Sequence, residues 1–127
     1  YECLAIEKKV AELSETPECQ RDITFTLNDL SYIHVNLKNL PEAYKLRFES
    51  LKIQKILVEQ FDTPESHRDI AASLFYLSGI QIKLGNSDDA RALGIESLVI
   101  ARRLAEQLST PESHDFVNEI ETFINSM

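Results

Sequence analysis

An all-α protein built from antiparallel helix pairs is what this sequence predicts, and three observations predict it. The tripeptide Thr-Pro-Glu recurs at Thr16, Thr63 and Thr110, with an interval of 47 residues each time. Between these marks apolar residues recur at spacings of three and four, the period of a helix face. Glycine and proline are scarce, with 3 Gly and 4 Pro in 127 residues, too few for the frequent turns of an all-β chain.

The repeat extends well beyond the tripeptide. Residues 1–47 laid on 48–94 without a gap share 19 identities, among them Leu4/Leu51, Ile6/Ile53, Ile23/Ile70, Leu27/Leu74, Leu30/Leu77, Ala43/Ala90 and Leu46/Leu93. Chance would give about three at ordinary composition. Residues 95–127 then repeat 48–80, with Glu-Ser-Leu and Thr-Pro-Glu-Ser-His intact. A fixed period of this size means stacked units, each burying its apolar face against its neighbours.

Taken in order, the expected helices are 1–14, 17–37, 40–61, 64–84, 88–108 and 111–126. The first repeats 48–61, with Leu4 and Ile6 in the places of Leu51 and Ile53. The second carries the stripe Ile23–Leu27–Leu30, and the third is opened by Pro41-Glu42. For the fourth, Thr63 is a good N-cap, Pro64 suits the first turn, and Glu65 meets the positive end of the helix dipole. Its face runs through Ile70, Leu74, Leu77 and Leu84, and Gly85 is suited to a left-handed stop. Ser87-Asp88-Asp89 is expected to cap the fifth, whose stripe is Ala90, Leu93, Ser97, Ala101, Leu104 and Leu108. The sixth opens on Thr110-Pro111-Glu112 as the fourth does. Phe75, Ile80, Ile95 and Leu98 lie off these stripes, and helices apolar on two sides are expected between neighbours.

Charge and composition exclude several classes of function. Thirteen basic against twenty-one acidic residues leave a net charge of -8, which repels phosphate backbones and anionic lipid, so neither nucleic acid nor a membrane is an expected partner. The longest apolar stretch, 70–80, is far short of the ~18 residues needed to span a bilayer. The opening residues do not carry the charged, apolar and small-residue pattern expected of a signal peptide. Cys3 and Cys19 are too few for a disulfide framework or a zinc site, so a cytoplasmic setting is expected. The chain opens on Tyr1, and a longer parent protein is expected.

The run Leu74-x-x-Leu77-Ser78-x-x-Gln81, then Gly85-Asn86, Ala90-x-x-x-Gly94 and Ser97, resembles the tetratricopeptide repeat. Leu27-x-x-Leu30-Ser31-x-x-His34, followed by Ala43, gives the same pattern one unit earlier. The resemblance covers the whole chain and is to the long-repeat variety similar to kinesin light chains. It departs in period, 47 against 34, and in the aromatics replaced here by Leu27, Leu74, Arg47 and Gly94. HEAT and armadillo repeats share a long period, but the Gly85-to-Ala90 register and the two-helix unit favour the tetratricopeptide pattern. The resemblance implies a right-handed α-α superhelix (solenoid): one domain over 1–127, about two and a half units, part of a longer array.

Residues that invite chemistry have plainer readings. His67 and His114 hold equivalent places in successive units, one repeat apart, which is too far for a shared ion. His34 is expected to pack with its ring edge satisfied. Ser66, His67 and Asp69 fall within one helical turn, which splays them around the axis rather than aligning a triad. There is no Gly-x-Ser-x-Gly elbow, no phosphate-binding loop and no His-Glu-x-x-His. Neither enzymatic activity, a cofactor nor a metal is expected. Arg102-Arg103 are expected to form a solvated face with Glu106.

The resemblance also implies a groove lined by the first helix of each unit, taking an extended peptide or a partner helix. By register its positions are Phe25, Asn28, Tyr32 and Val35, then Ala72, Phe75, Gly79 and Ile82, with Glu119 and Thr122 in the last unit. Phe25, Tyr32 and Phe75 lie off the hairpin stripes and are candidate hot spots. The basic clamp by which family members hold acidic tails is absent here. The expected ligand is therefore an amphipathic protein or peptide with basic flanks, bound by a non-catalytic scaffold or sensor. The alternative is a structural spacer or self-association element positioning an attached effector domain. Val10 and Leu13 at one end, and Phe116, Ile120 and Phe123 at the other, are expected to be exposed and available for self-association.

Overall fold

The computed structural model describes residues 17–127. Among these there are five helices and no strand: α1 (Pro17–Asn36), α2 (Leu40–Gln60), α3 (Pro64–Lys83), α4 (Ser87–Leu108) and α5 (Pro111–Asn125). The all-α expectation holds, and the five helix boundaries fall within a residue of those read from the sequence. The expected helix 1–14, with Val10 and Leu13, lies outside the described residues. No helix among the described residues is long and apolar enough to cross a membrane. The chain divides into two compact units, at Asp62/Thr63.

In the first unit α1 and α2 form an αα-hairpin. Its core is Ile23, Leu27 and Leu46, with Leu30 and Ile53 packed against it. Two hydroxyls join the helices: Ser31 Oγ donates to the Ala43 carbonyl at 2.7 Å, and Ser50 Oγ to that of Thr24 at 3.4 Å. Small side chains at these crossings allow close approach, and each hydroxyl uses a carbonyl's second lone pair, contributing about 1 kcal/mol.

The second unit contains α3, α4 and α5. Its first pair repeats both bonds 47 residues on: Ser78 Oγ donates to Ala90 at 2.5 Å and Ser97 Oγ to Ala71 at 2.7 Å. Gly94 marks a tighter contact, because a Cβ there would lie 3.1 Å from Ile124 Cγ1 and 3.3 Å from Ser78 Oγ. Against this pair α5 packs Ile120 and Ile124 in a cluster with Ala101, flanked by Phe75, Leu98, Phe116 and Val117. This corrects the expectation of an exposed last helix. Ile120 is fully buried, and Phe116 and Phe123 are half-buried, because α5 lies on α4 and meets the Phe75 ring of α3.

The turns follow from the caps. Thr63 accepts from the Ser66 N–H, and Thr110 with Ser113 forms a reciprocal capping box. Both hairpin turns are Schellman-type stops, with Lys38 N–H bonded to Val35 and Asn39 N–H to His34, as Gly85 is to Ile82 and Asn86 to Gln81. Gly85 adopts the left-handed conformation its sequence position suggested, φ 84°, whereas the matching residue of the first unit is Lys38, at φ 61°. The α4 cap differs from expectation. The N-cap is Asn86, whose side chain turns back to Gln81 Oε1 at 2.8 Å; Ser87 begins the helix, and Asp88 and Asp89 lie in its first turn, on the dipole's positive end. Asn39 reaches back in the same way, to His34 Nδ1 at 3.4 Å, which gives that ring edge its partner.

Candidate functional site

The row of α1 residues expected to line a groove recurs at spacings of three, four and three, which keeps it on one side of the helix. Phe25 and Tyr32 are 48% and 59% exposed, while Asn28 and Val35 are half-buried. The aromatic pair therefore stands clear of the α1–α2 core, as the stripe pattern indicates. Arg21, one turn before Phe25, holds its guanidinium carbon 5.5 Å from the ring centroid. Asp22 and Asp29 are exposed on the same sector of the helix, so the aromatics have acidic neighbours. The Oδ1 of Asn28 is shielded from solvent and has no hydrogen-bond partner. A buried acceptor left unpaired is a cost to the fold, and its shielding keeps it out of reach of a ligand.

In the second unit the same row on α3 holds Ala72, Phe75, Gly79 and Ile82, all half-buried. Phe75 differs from its α1 counterparts. Its ring makes edge-to-face contacts with Phe116 (6.3 Å between centroids) and Phe123 (5.3 Å). Phe75 is thus engaged in seating α5. Where a Cβ would stand on Gly79 there is nothing within 4 Å, so this position leaves open space. On α5 the row continues with Glu119 and Thr122, both exposed, the Thr122 hydroxyl donating to the Asn118 carbonyl.

The remaining candidates are placed plainly. Ser66 Oγ lies 2.9 Å from Thr63 Oγ1, so it belongs to the helix cap. No three His, Cys, Asp or Glu side chains among the described residues gather as metal ligands would. Arg102, Arg103 and Glu106 are exposed, as expected of a solvated face, and Arg102 also pairs with Glu121 of α5 at 2.8 Å. A recess of about 40 Å³, lined in part by Arg68, Leu104, Leu108 and Phe116, holds at most a few water molecules.

Two features escaped the reading of the sequence. The Arg21–Phe25 contact is an i, i+4 pair, a signal available to inspection. So is the stacked pair Tyr44–Phe48 on α2, with centroids 6.0 Å apart, over which Lys52 places its ammonium 5.0 Å from the Phe48 ring. Comparison of the chain with family models, with curated proteins and with solved structures gave no match.

Proposed function

We propose that this chain is a non-catalytic protein- or peptide-binding repeat module of the tetratricopeptide type, a scaffold or sensor within a larger cytoplasmic protein. Its helix pairs stack as a right-handed superhelix with the 47-residue period. The paired hydroxyl bonds and matching turns of α1–α2 and α3–α4 support a repeated two-helix unit. The observation that carries binding is the exposure of Phe25 and Tyr32 on one side of α1. Asp22 and Asp29 beside them suit an amphipathic ligand with basic flanks.

Selection from a random peptide library tests this. Peptides with apolar anchors and Lys or Arg flanks are expected, and Phe25→Ala with Tyr32→Ala should abolish their binding, at about 2 kcal/mol per aromatic. Both side chains are exposed, so the helical circular dichroism should not change. Enriched peptides that bind the double variant as well as the parent would remove the groove.

A second reading is the structural spacer, and the Phe75 cluster favours it. There an aromatic of the row is spent on internal packing. Under that reading library selection yields no sequence dependent on Phe25 and Tyr32.

A further inference from the structure

Charge is not spread evenly over these helices. The stretch 111–125, which forms α5, has Glu112, Asp115, Glu119 and Glu121 and no Lys or Arg. Lysines and arginines concentrate instead on the second helix of each pair. On α2, Lys45, Lys52 and Lys55 are exposed around Phe48 and Ile56, which are 39% and 50% exposed, beside the half-buried Tyr44. At 100° per residue these six side chains share one side of the helix, opposite the Ala43, Leu46 and Ser50 side that meets α1. A weaker version recurs on α4, where Arg91 and Arg103 are exposed with Ile95 and Val99, each 46% exposed, beside the exposed Glu106.

We propose that the outer side of α2 is a second docking surface, whose occupant is an acidic amphipathic helix of another polypeptide. This does not rest on the α1 groove, which uses different residues on a different helix and selects the opposite charge. Lys45, Lys52 and Lys55, within about 15 Å of helix, outnumber Glu59, the exposed carboxylate on the same side, and set the sign of the partner. The Tyr44–Phe48 stack and Ile56 provide the apolar contact that a purely electrostatic site lacks. Lys52, held over the Phe48 ring, already lies beside the apolar centre, where a partner carboxylate would be partly desolvated. Polyanions without an apolar side fit less well, because they leave the Tyr44–Phe48 stack and Ile56 without a contact.

The test uses the full chain and a fluorescein-labelled peptide of about 18 residues made of Glu, Leu and Phe, its apolar residues at three- and four-residue spacing. Fluorescence anisotropy should show saturable binding that weakens with salt. Lys45→Glu, Lys52→Glu and Lys55→Glu together should weaken it at least about tenfold, and Phe48→Ala by a similar factor. Phe25→Ala with Tyr32→Ala should leave it unchanged, which separates this surface from the groove. All these side chains are exposed, and circular dichroism monitors folding. Equal binding of a scrambled peptide of the same composition would overturn the proposal. So would tighter lysine-dependent binding of phosphatidylserine vesicles or single-stranded DNA, or sedimentation showing a dimer that the lysine changes dissociate.

Discussion

Replacing Phe75 by Ala tests whether this ring is structural or available to a ligand. Removing a fully buried phenylalanine costs about 3–5 kcal/mol, including the cavity left behind. Phe75 is half-buried, so its transfer and cavity contribution is nearer 2 kcal/mol. Edge-to-face pairing with Phe116 and Phe123 adds about 0.5–1.5 kcal/mol per pair beyond area burial. The expected loss is therefore about 3–5 kcal/mol, a large fraction of the stability of a small protein. Urea denaturation followed by circular dichroism measures it. Hydrogen exchange should place the early loss in the amides of α5, because Phe116 and Phe123 belong to that helix. Tyr76→Ala, one residue along and 51% exposed, serves as the control and should stay within about 0.5 kcal/mol of the parent. If Phe75→Ala costs no more than Tyr76→Ala, the ring does not seat α5 and is available as a binding residue.

Three further outcomes are expected. Lys38→Gly should stabilise the chain by about 0.5–1 kcal/mol and Gly85→Lys destabilise it by a similar amount, since both positions are left-handed; thermal melts of the two variants check the opposite signs. Gly94→Ala should cost about 1–2 kcal/mol net, because its Cβ meets Ile124 and the hydrogen-bonded Ser78, which outweighs the gain in helix propensity. Gly79→Ala, with open space around it, should instead gain about 0.5–1 kcal/mol in the same urea assay. Arg102→Ala should change stability by less than about 0.5 kcal/mol, less still at high salt, because the Arg102 and Glu121 side chains are 58% and 39% exposed.

Helix boundaries were legible because their signals are local. Thr63, Thr110 and Gly85 act through backbone groups within a few residues, and the sequence displays such neighbours directly. Lys38 shows the limit: nothing in a lysine announces a left-handed residue, and only the 47-residue alignment with Gly85 points to one. The direction of Asn86 was hidden because its side chain had a choice between the next helix and Gln81. Ile120 was misplaced for another reason. Counting repeat units treated α5 as half of an incomplete pair, whereas its apolar face is covered by the helix that precedes it. Of the candidate row, Phe25 and Tyr32 were correctly read as surplus to the hairpin core. Phe75 is equally surplus to its hairpin, but Phe116 and Phe123 consume it, and that contact depends on how α5 is seated.

The four buried serines have a mechanical consequence. In each hairpin the two hydroxyls grip carbonyls at separate points along the helix pair. Lengthwise sliding would have to break both at once and strip two buried hydroxyls of their acceptors. Under tension such a pair should refuse to shear. It should yield by unzipping from its free end, one crossing at a time.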